Sequence, residues 1–138
     1  MNGHGKLFVV ATPIGNLSDI TFRAIDTLKQ VDFVVCEDTR VTKILLDHYS
    51  ILKPFVVANA QSEPRKISEI IEKVKSGLSC ALVTDAGTPA ISDPGIRLVH
   101  SAIANEVEVV GIPGANAAIM ALSISGLPTD SFVFEGFL

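Results

Sequence analysis

The sequence has no tryptophan, one tyrosine, two cysteines and three histidines among its 138 residues, and only 19% of them are charged. Each shortage removes a class of protein. Two cysteines cannot build the multiple-disulfide scaffold of a small secreted domain. Cys36 and Cys80 each lie in an apolar run, Val34-Val35-Cys36 and Cys80-Ala81-Leu82-Val83, where a thiol behaves as a small buried hydrophobe. His4, His48 and His100 are scattered without metal-ligand spacing, so no structural metal is expected. No apolar run approaches the roughly 20 residues of a membrane span. The start, Met1-Asn2-Gly3-His4-Gly5-Lys6, lacks the charged, apolar and small-residue sections of a secretion signal, and a cytoplasmic protein is expected.

Positive charge is also short. Lys and Arg number 11 against 15 Asp and Glu, for a formal charge of −4. Nucleic-acid affinity rests largely on cations that neutralise phosphates, so contact with such a polymer must be local or made elsewhere. The largest basic grouping, Arg65-Lys66 with Lys73 and Lys75, is interleaved with Glu63, Glu69 and Glu72 and reads as the solvated face of a helix.

What remains is 48% apolar, enough for one core in a chain of this length. Short β-branched runs alternate with helical patterns. Leu7–Ala11, Val31–Cys36, Phe55–Val57, Cys80–Thr84 and Val107–Val110 read as strands. Between them, a helix capped by Ser18 or Asp19 carries Phe22, Ile25 and Leu28 on one face, and a second, Thr39 to Tyr49, carries Ile44, Leu45 and Leu46. A third opens at Glu63-Pro64, runs through Ile67, Ile70, Ile71 and Val74, and stops at Gly77. A fourth starts at Pro94 with Ile96, Val99 and Ile103. A small-residue helix, Ala115 to Leu122, follows Pro113-Gly114. The pattern predicts an α/β fold: a parallel sheet of about five strands with helices on both faces. Residues 1–128 are expected to form this domain. The apolar stretch Phe132-Val133-Phe134-Glu135-Gly136-Phe137-Leu138 is expected to lead, from 129 onward, into a second domain.

In such sheets ligands bind beyond the carboxyl ends of the strands. Three segments fall there. Thr12-Pro13-Ile14-Gly15-Asn16 follows the first strand and Glu37-Asp38-Thr39-Arg40 the second. Asp85-Ala86-Gly87-Thr88-Pro89-Ala90-Ile91-Ser92-Asp93-Pro94-Gly95 follows the fourth. None matches a dinucleotide fingerprint or a phosphate loop. The last joins acids to glycines, prolines and small residues, a loop able to wrap a ligand closely. Asp93 serves equally well as a helix cap. In the second segment Asp38 can cap a helix and Arg40 can pair with Glu37 or Asp19. Alternatively, Arg40 grips an anion while Glu37 or Asp38 accepts a proton. The first and third segments together predict a small-molecule site.

These stretches, with Gly126-Leu127-Pro128-Thr129-Asp130 and the tail after it, resemble the amino-terminal domain of the tetrapyrrole-methylase superfamily. The likeness is strongest to the branch that methylates a cytidine ribose 2′-hydroxyl in small-subunit ribosomal RNA. The resemblance implies a two-domain, homodimeric enzyme using S-adenosylmethionine, with small-subunit ribosomal RNA or the small ribosomal subunit as partner. It implies cofactor contacts from Asp85, Ala86, Gly87, Thr88, Pro89, Ile91 and Ser92, and from Pro113, Gly114, Asn116 and Ala117. It implies substrate contacts from Pro13, Ile14, Gly15 and Asn16. A ribose hydroxyl benefits from a base or a cation, and Glu37, Asp38 and Arg40 are the catalytic candidates. The chain departs from the RNA-modifying pattern at Ala58-Asn59-Ala60-Gln61-Ser62-Glu63, where a His-rich segment with an Asn-Glu pair is usual. Two other functions fit the same fold: methylation of a corrin or porphyrin carbon, and a ligand-sensing domain without chemistry.

Overall fold

The computed structural model describes residues 3–59, 62–92 and 95–137. Five parallel strands form one sheet: β1 (Lys6–Val10), β2 (Phe33–Cys36), β3 (Phe55–Val57), β4 (Cys80–Leu82) and β5 (Glu108–Ile112), in the order β3-β2-β4-β1-β5. Helices α1 (Phe22–Gln30), α2 (Thr39–His48), α3 (Glu63–Lys75) and α4 (Ile96–Ala104) connect them in turn, and α5 (Ala117–Ile124) follows β5.

The two-residue period of a strand divides its side chains between two cores. Leu7, Phe33, Val35, Cys80 and Leu82 point to one, which α3 closes with Ile67, Ile70, Ile71 and Val74 and α4 with Leu98 and Ala102. Val10, Val34, Cys36, Ala81 and Val83 point to the other, closed by Ala24 and Leu28 of α1 and Leu46 of α2. Each fully buried branched side chain contributes about 1.5–3 kcal/mol of transfer free energy, so both faces must be covered. Neither cysteine is paired; both are buried, and burial pushes the Cys80 thiol up to about 12. Glu69 holds ion pairs with both Arg65 and Lys66 on the outer face of α3.

Several helix details differ from expectation. Thr21 caps α1, its hydroxyl accepting from Ala24 N–H at 3.0 Å; Ser18 and Asp19 instead lie in a short 3-10 turn capped by Asn16. Phe22 is 90% exposed, because the buried stripe of α1 is Ala24, Thr27 and Leu28. In α2, Ile44 is 63% exposed while Leu45 and Leu46 are buried. In α4, Leu98 and Ala102 face the core and Ile96 and Ile103 face outward. This helix begins at Ile96 behind Gly95; the expected start at Pro94 and the Asp93 cap lie outside the described residues. Nothing in α5 is buried, and Ile119, Met120 and Ile124 are exposed with Leu127, Phe132, Val133, Phe134 and Phe137 beyond it.

Gly5 donates its N–H to the Val74 carbonyl at 2.8 Å where the chain enters β1. A Cβ there would overlap the Leu78 carbonyl, a backbone group with nowhere to go. Gly5→Ala is therefore expected to cost about 1–3 kcal/mol, the range for overpacking. Gly111 in β5 has open space around it and serves as the control. Urea unfolding of both alanine variants checks this: equal midpoints would show that the β1 entry relaxes freely.

Candidate functional site

β1 and β4 are neighbours in the sheet, yet the chain leaves β1 toward α1 on one face and leaves β4 toward α4 on the other. Their loops part at the carboxyl edge, and that divergence opens the crevice in which open α/β sheets bind ligands. The first and third expected segments are these two loops.

They are tied together by backbone. Thr12 N–H donates to the Gly87 carbonyl at 2.9 Å, and Gly87 N–H donates to the Thr12 carbonyl at 3.1 Å. The buried Thr12 hydroxyl donates to the Thr84 carbonyl at 3.1 Å. Gly87 holds this position at φ +83°, in the left-handed region where an L side chain is disfavoured. A third loop joins them at Pro113-Gly114: a Cβ on Gly114 would lie 2.9 Å from the Ala11 Cβ, so the turn into α5 rests directly on the end of β1. Asn116 then caps α5, its Oδ1 accepting from Ile119 N–H at 3.0 Å.

Three cavities open around these loops. One of about 460 Å³ is walled by Ala86–Thr88 and Ile91, by the first turn of α5 from Ala115 to Ile119, by Ile14, and by Phe132 and Phe134 of the tail. A second, of about 380 Å³, lies between the first loop, from Thr12 to Leu17, and the face of α2 carrying Val41, Thr42, Ile44 and Leu45, with Thr84, Asp85 and Ala86 beside them. A third, of about 450 Å³, is bounded by Glu37–Arg40, Val57, Asn59 and Asp85. The first two share Ile14 and Ala86; the last two share Asp85.

Ala86, Gly87, Thr88, Ile91, Asn116 and Ala117 thus line one cavity. Asp85 lines the other two instead. Pro89 is wholly buried beneath its loop, and Ser92 lies against the tail, where a Cβ on Gly136 would come within 2.7 Å of its Oγ. Pro113 and Gly114 form the supporting turn. Pro13, Ile14, Gly15 and Asn16 all line the second cavity. Glu37, Asp38 and Arg40 line the third, and their internal pairing corrects expectation. Arg40 pairs with neither Glu37 nor Asp19 but with Asp38. Its Nε and Nη2 donate at 3.1 and 2.8 Å to the two carboxylate oxygens, and its backbone N–H donates at 2.9 Å. The helix-capping geometry of Asp38 leads its chain straight into reach of the residue two positions on.

Val41, Thr42, Ile44, Phe132 and Phe134 were not among the expected site residues. For α2 a signal existed: Val41 and Ile44 sit three apart, directly after the Glu37–Arg40 segment. Thr42 is 3% exposed, and its Oγ1 is buried without a conventional hydrogen bond. Its neighbour is the Cys36 thiol, a weak hydrogen-bonding group whose pKa is raised by burial. Among the described residues, no three His, Cys, Asp or Glu side chains gather to hold a metal ion, and no helix is long and apolar enough to cross a membrane.

The hydrogen bonds from Arg40 hold the Asp38 carboxyl at about 2, below its ordinary 3.8. The sign follows: the interaction is fully present above pH 3.8 and is lost as pH falls through about 2. Asp38 is therefore a poor proton acceptor near neutrality. Carboxyl NMR titration should place its midpoint near 2, and Arg40→Ala should return it toward 3.8. An unchanged midpoint would mean that the pair does not form in solution.

Parallel strands, helices on both faces and paired cavities at the strand-order reversal define an α/β domain with a crevice at the carboxyl edge of its sheet. The chain belongs to the Tetrapyrrole (Corrin/Porphyrin) Methylases, whose family model matches residues 6–137. It is 52% identical over 134 residues to the ribosomal RNA small subunit methyltransferase I of Haemophilus influenzae, covering 97% of this chain and 47% of that protein. It is 54% identical to the protein of the same name from Halalkalibacterium halodurans, covering 97% and 46%. The chain spans about half the length of these curated relatives. Its fold is also that of the uroporphyrin-III-C-methyltransferase of Thermus thermophilus, with a TM-score of 0.68 at 21% identity over 90% of this chain and 54% of that one.

Proposed function

We propose that this chain is the cofactor-bearing domain of an S-adenosylmethionine-dependent methyltransferase. Its substrate is the ribose 2′-hydroxyl of a cytidine in small-subunit ribosomal RNA. The observation that carries the reading is the adjacency of two cavities across Ile14 and Ala86, in a chain about half identical to methyltransferases of small-subunit ribosomal RNA.

The larger cavity fits the cofactor. Its volume is that of a small-molecule site, its wall at Ala86, Gly87, Ala115, Ala117 and Ala118 has little side-chain bulk, and Ile119, Phe132 and Phe134 supply apolar surface. Gly87, at φ +83°, presents backbone rather than a side chain to this wall. When bound, S-adenosylmethionine supplies an electrophilic methyl group. The protein's part is then alignment, the term that positioning accelerates most. The Thr12–Gly87 tie fixes Ile14 and Ala86 between donor and acceptor. Asp38 is committed to Arg40, so of the acids Glu37 and Asp38 that bound the third cavity Glu37 is the one left to accept a proton.

The exposed apolar surface of α5 and of Phe132 to Phe137 packs against the remainder of the longer protein, which completes the cofactor cavity. A homodimer and that second half supply the basic surface that this acidic domain lacks.

Two measurements test this. The full-length gene product, given labelled S-adenosylmethionine with unmodified small ribosomal subunits, naked ribosomal RNA or a porphyrin precursor, is expected to label RNA; label in the porphyrin alone refutes the reading. Ala86→Leu places bulk at the exposed shared wall. It is expected to weaken cofactor binding by about tenfold in calorimetry, roughly 1.4 kcal/mol, while the melting temperature holds. Unchanged affinity would move the cofactor elsewhere.

A further inference from the structure

We propose that the cavity between the first loop and α2 receives the target pyrimidine base itself, turned out of its RNA. This rests on the RNA reading above. A base in a folded RNA is stacked, and an enzyme acting on one nucleotide gains access by extruding it into a pocket that restores stacking and hydrogen bonding. That demands apolar walls for the ring faces and polar groups for the ring edge.

The cavity has both. Ile14 and Leu17 come from the first loop and Val41 and Ile44 from α2, so apolar side chains reach it from two separate elements. Ile44 is 63% exposed although it belongs to a largely apolar helix turn, an exposure that the fold does not require. Beside these walls lies a group suited to a base edge, the exposed Asp85 carboxylate, the kind of acceptor that reads an exocyclic amine such as that of cytosine. The volume, about 380 Å³, lies within the range of small-molecule sites. Its position matters as much: the shared wall at Ile14 and Ala86 sets the sugar of a base seated here beside the cofactor cavity. The slot thus delivers a ribose hydroxyl to the boundary where methyl transfer is needed.

Two variants of the full-length gene product test this with unmodified small ribosomal subunits as substrate. Ile44→Glu alters an exposed side chain and puts charge against the base. It is expected to lower kcat/KM for the subunits at least tenfold, with cofactor affinity by calorimetry unchanged within about twofold. Asp85→Asn keeps the shape and removes the charged acceptor. It is expected to lower kcat/KM by about tenfold, the loss of one hydrogen bond to the base edge, without lowering the melting temperature. If the wild type methylates the subunits while Ile44→Glu leaves kcat/KM unchanged, the slot is wrong and the RNA reading stands. If Ile44→Glu instead abolishes cofactor binding, the cavity belongs to the cofactor and the proposal fails. A wild type that methylates no RNA overturns the parent reading and the slot with it.

Discussion

The two hydrogen bonds between Thr12 and Gly87 govern the carboxyl edge of this domain. Parallel strands β1 and β4 would otherwise release their loops to opposite faces, and an untied crevice would have no fixed wall. The bridge forms only because Gly87 adopts φ +83° and because Thr12, buried at the strand end, spends its hydroxyl on the neighbouring Thr84 carbonyl. Ile14 and Ala86, on either side of the tie, are thereby held as the partition between two cavities. Gly114, packed on Ala11, anchors the third loop to the same strand. Three loops from distant parts of the sequence are positioned by one strand end, and the spatial relation of both cavities follows from it.

The strands were legible because a sheet covered on both faces needs continuous apolar runs, and Leu7 to Ala11 or Val34 to Cys36 have few other uses. Helix existence was equally plain, but helix orientation was not. Periodicity reports that apolar residues recur, not which of two overlapping stripes meets the sheet. In α1 the stripe is the small and polar set Ala24 and Thr27 with Leu28, which leaves Phe22 outside; in α4, Leu98 and Ala102 displace Ile96 and Ile103. A small residue lets a helix approach the sheet closely, and hydrophobicity alone does not register that. At the site, loop composition identified the segments after β1 and β4. Sequence could not show that Arg40 folds back on Asp38, since this depends on the cap geometry of α2. Nor could it bring α2 beside the first loop, a contact across about 30 residues of chain.

The stretch from α5 through the tail behaves differently from the rest. α1 to α4 each bury one stripe, whereas α5 is apolar on every side and buries none of its residues among those described. Helices of that kind are stable only inside something larger. The tail adds Phe132 and Phe134 to the wall of the larger cavity and brings Gly136 against Ser92, so the same surface that invites a packing partner also borders the site. A partner that covered α5 would bury part of that cavity's wall. Domain packing and ligand binding would then be one event rather than two.

Left-handed backbone at residues other than glycine occurs at this edge, at Ala90 and Ser92, and also past the ends of α2 and α4, at Ser50 and Glu106. Each costs free energy, of order 1–3 kcal/mol for such features. Leu, Ile and Val packing under the sheet supplies the stability that tolerates them. Asp38 and Arg40, paired with each other, hold the start of α2 in shape. α2 therefore offers Val41, Thr42 and Ile44 to the cavity from a rigid base.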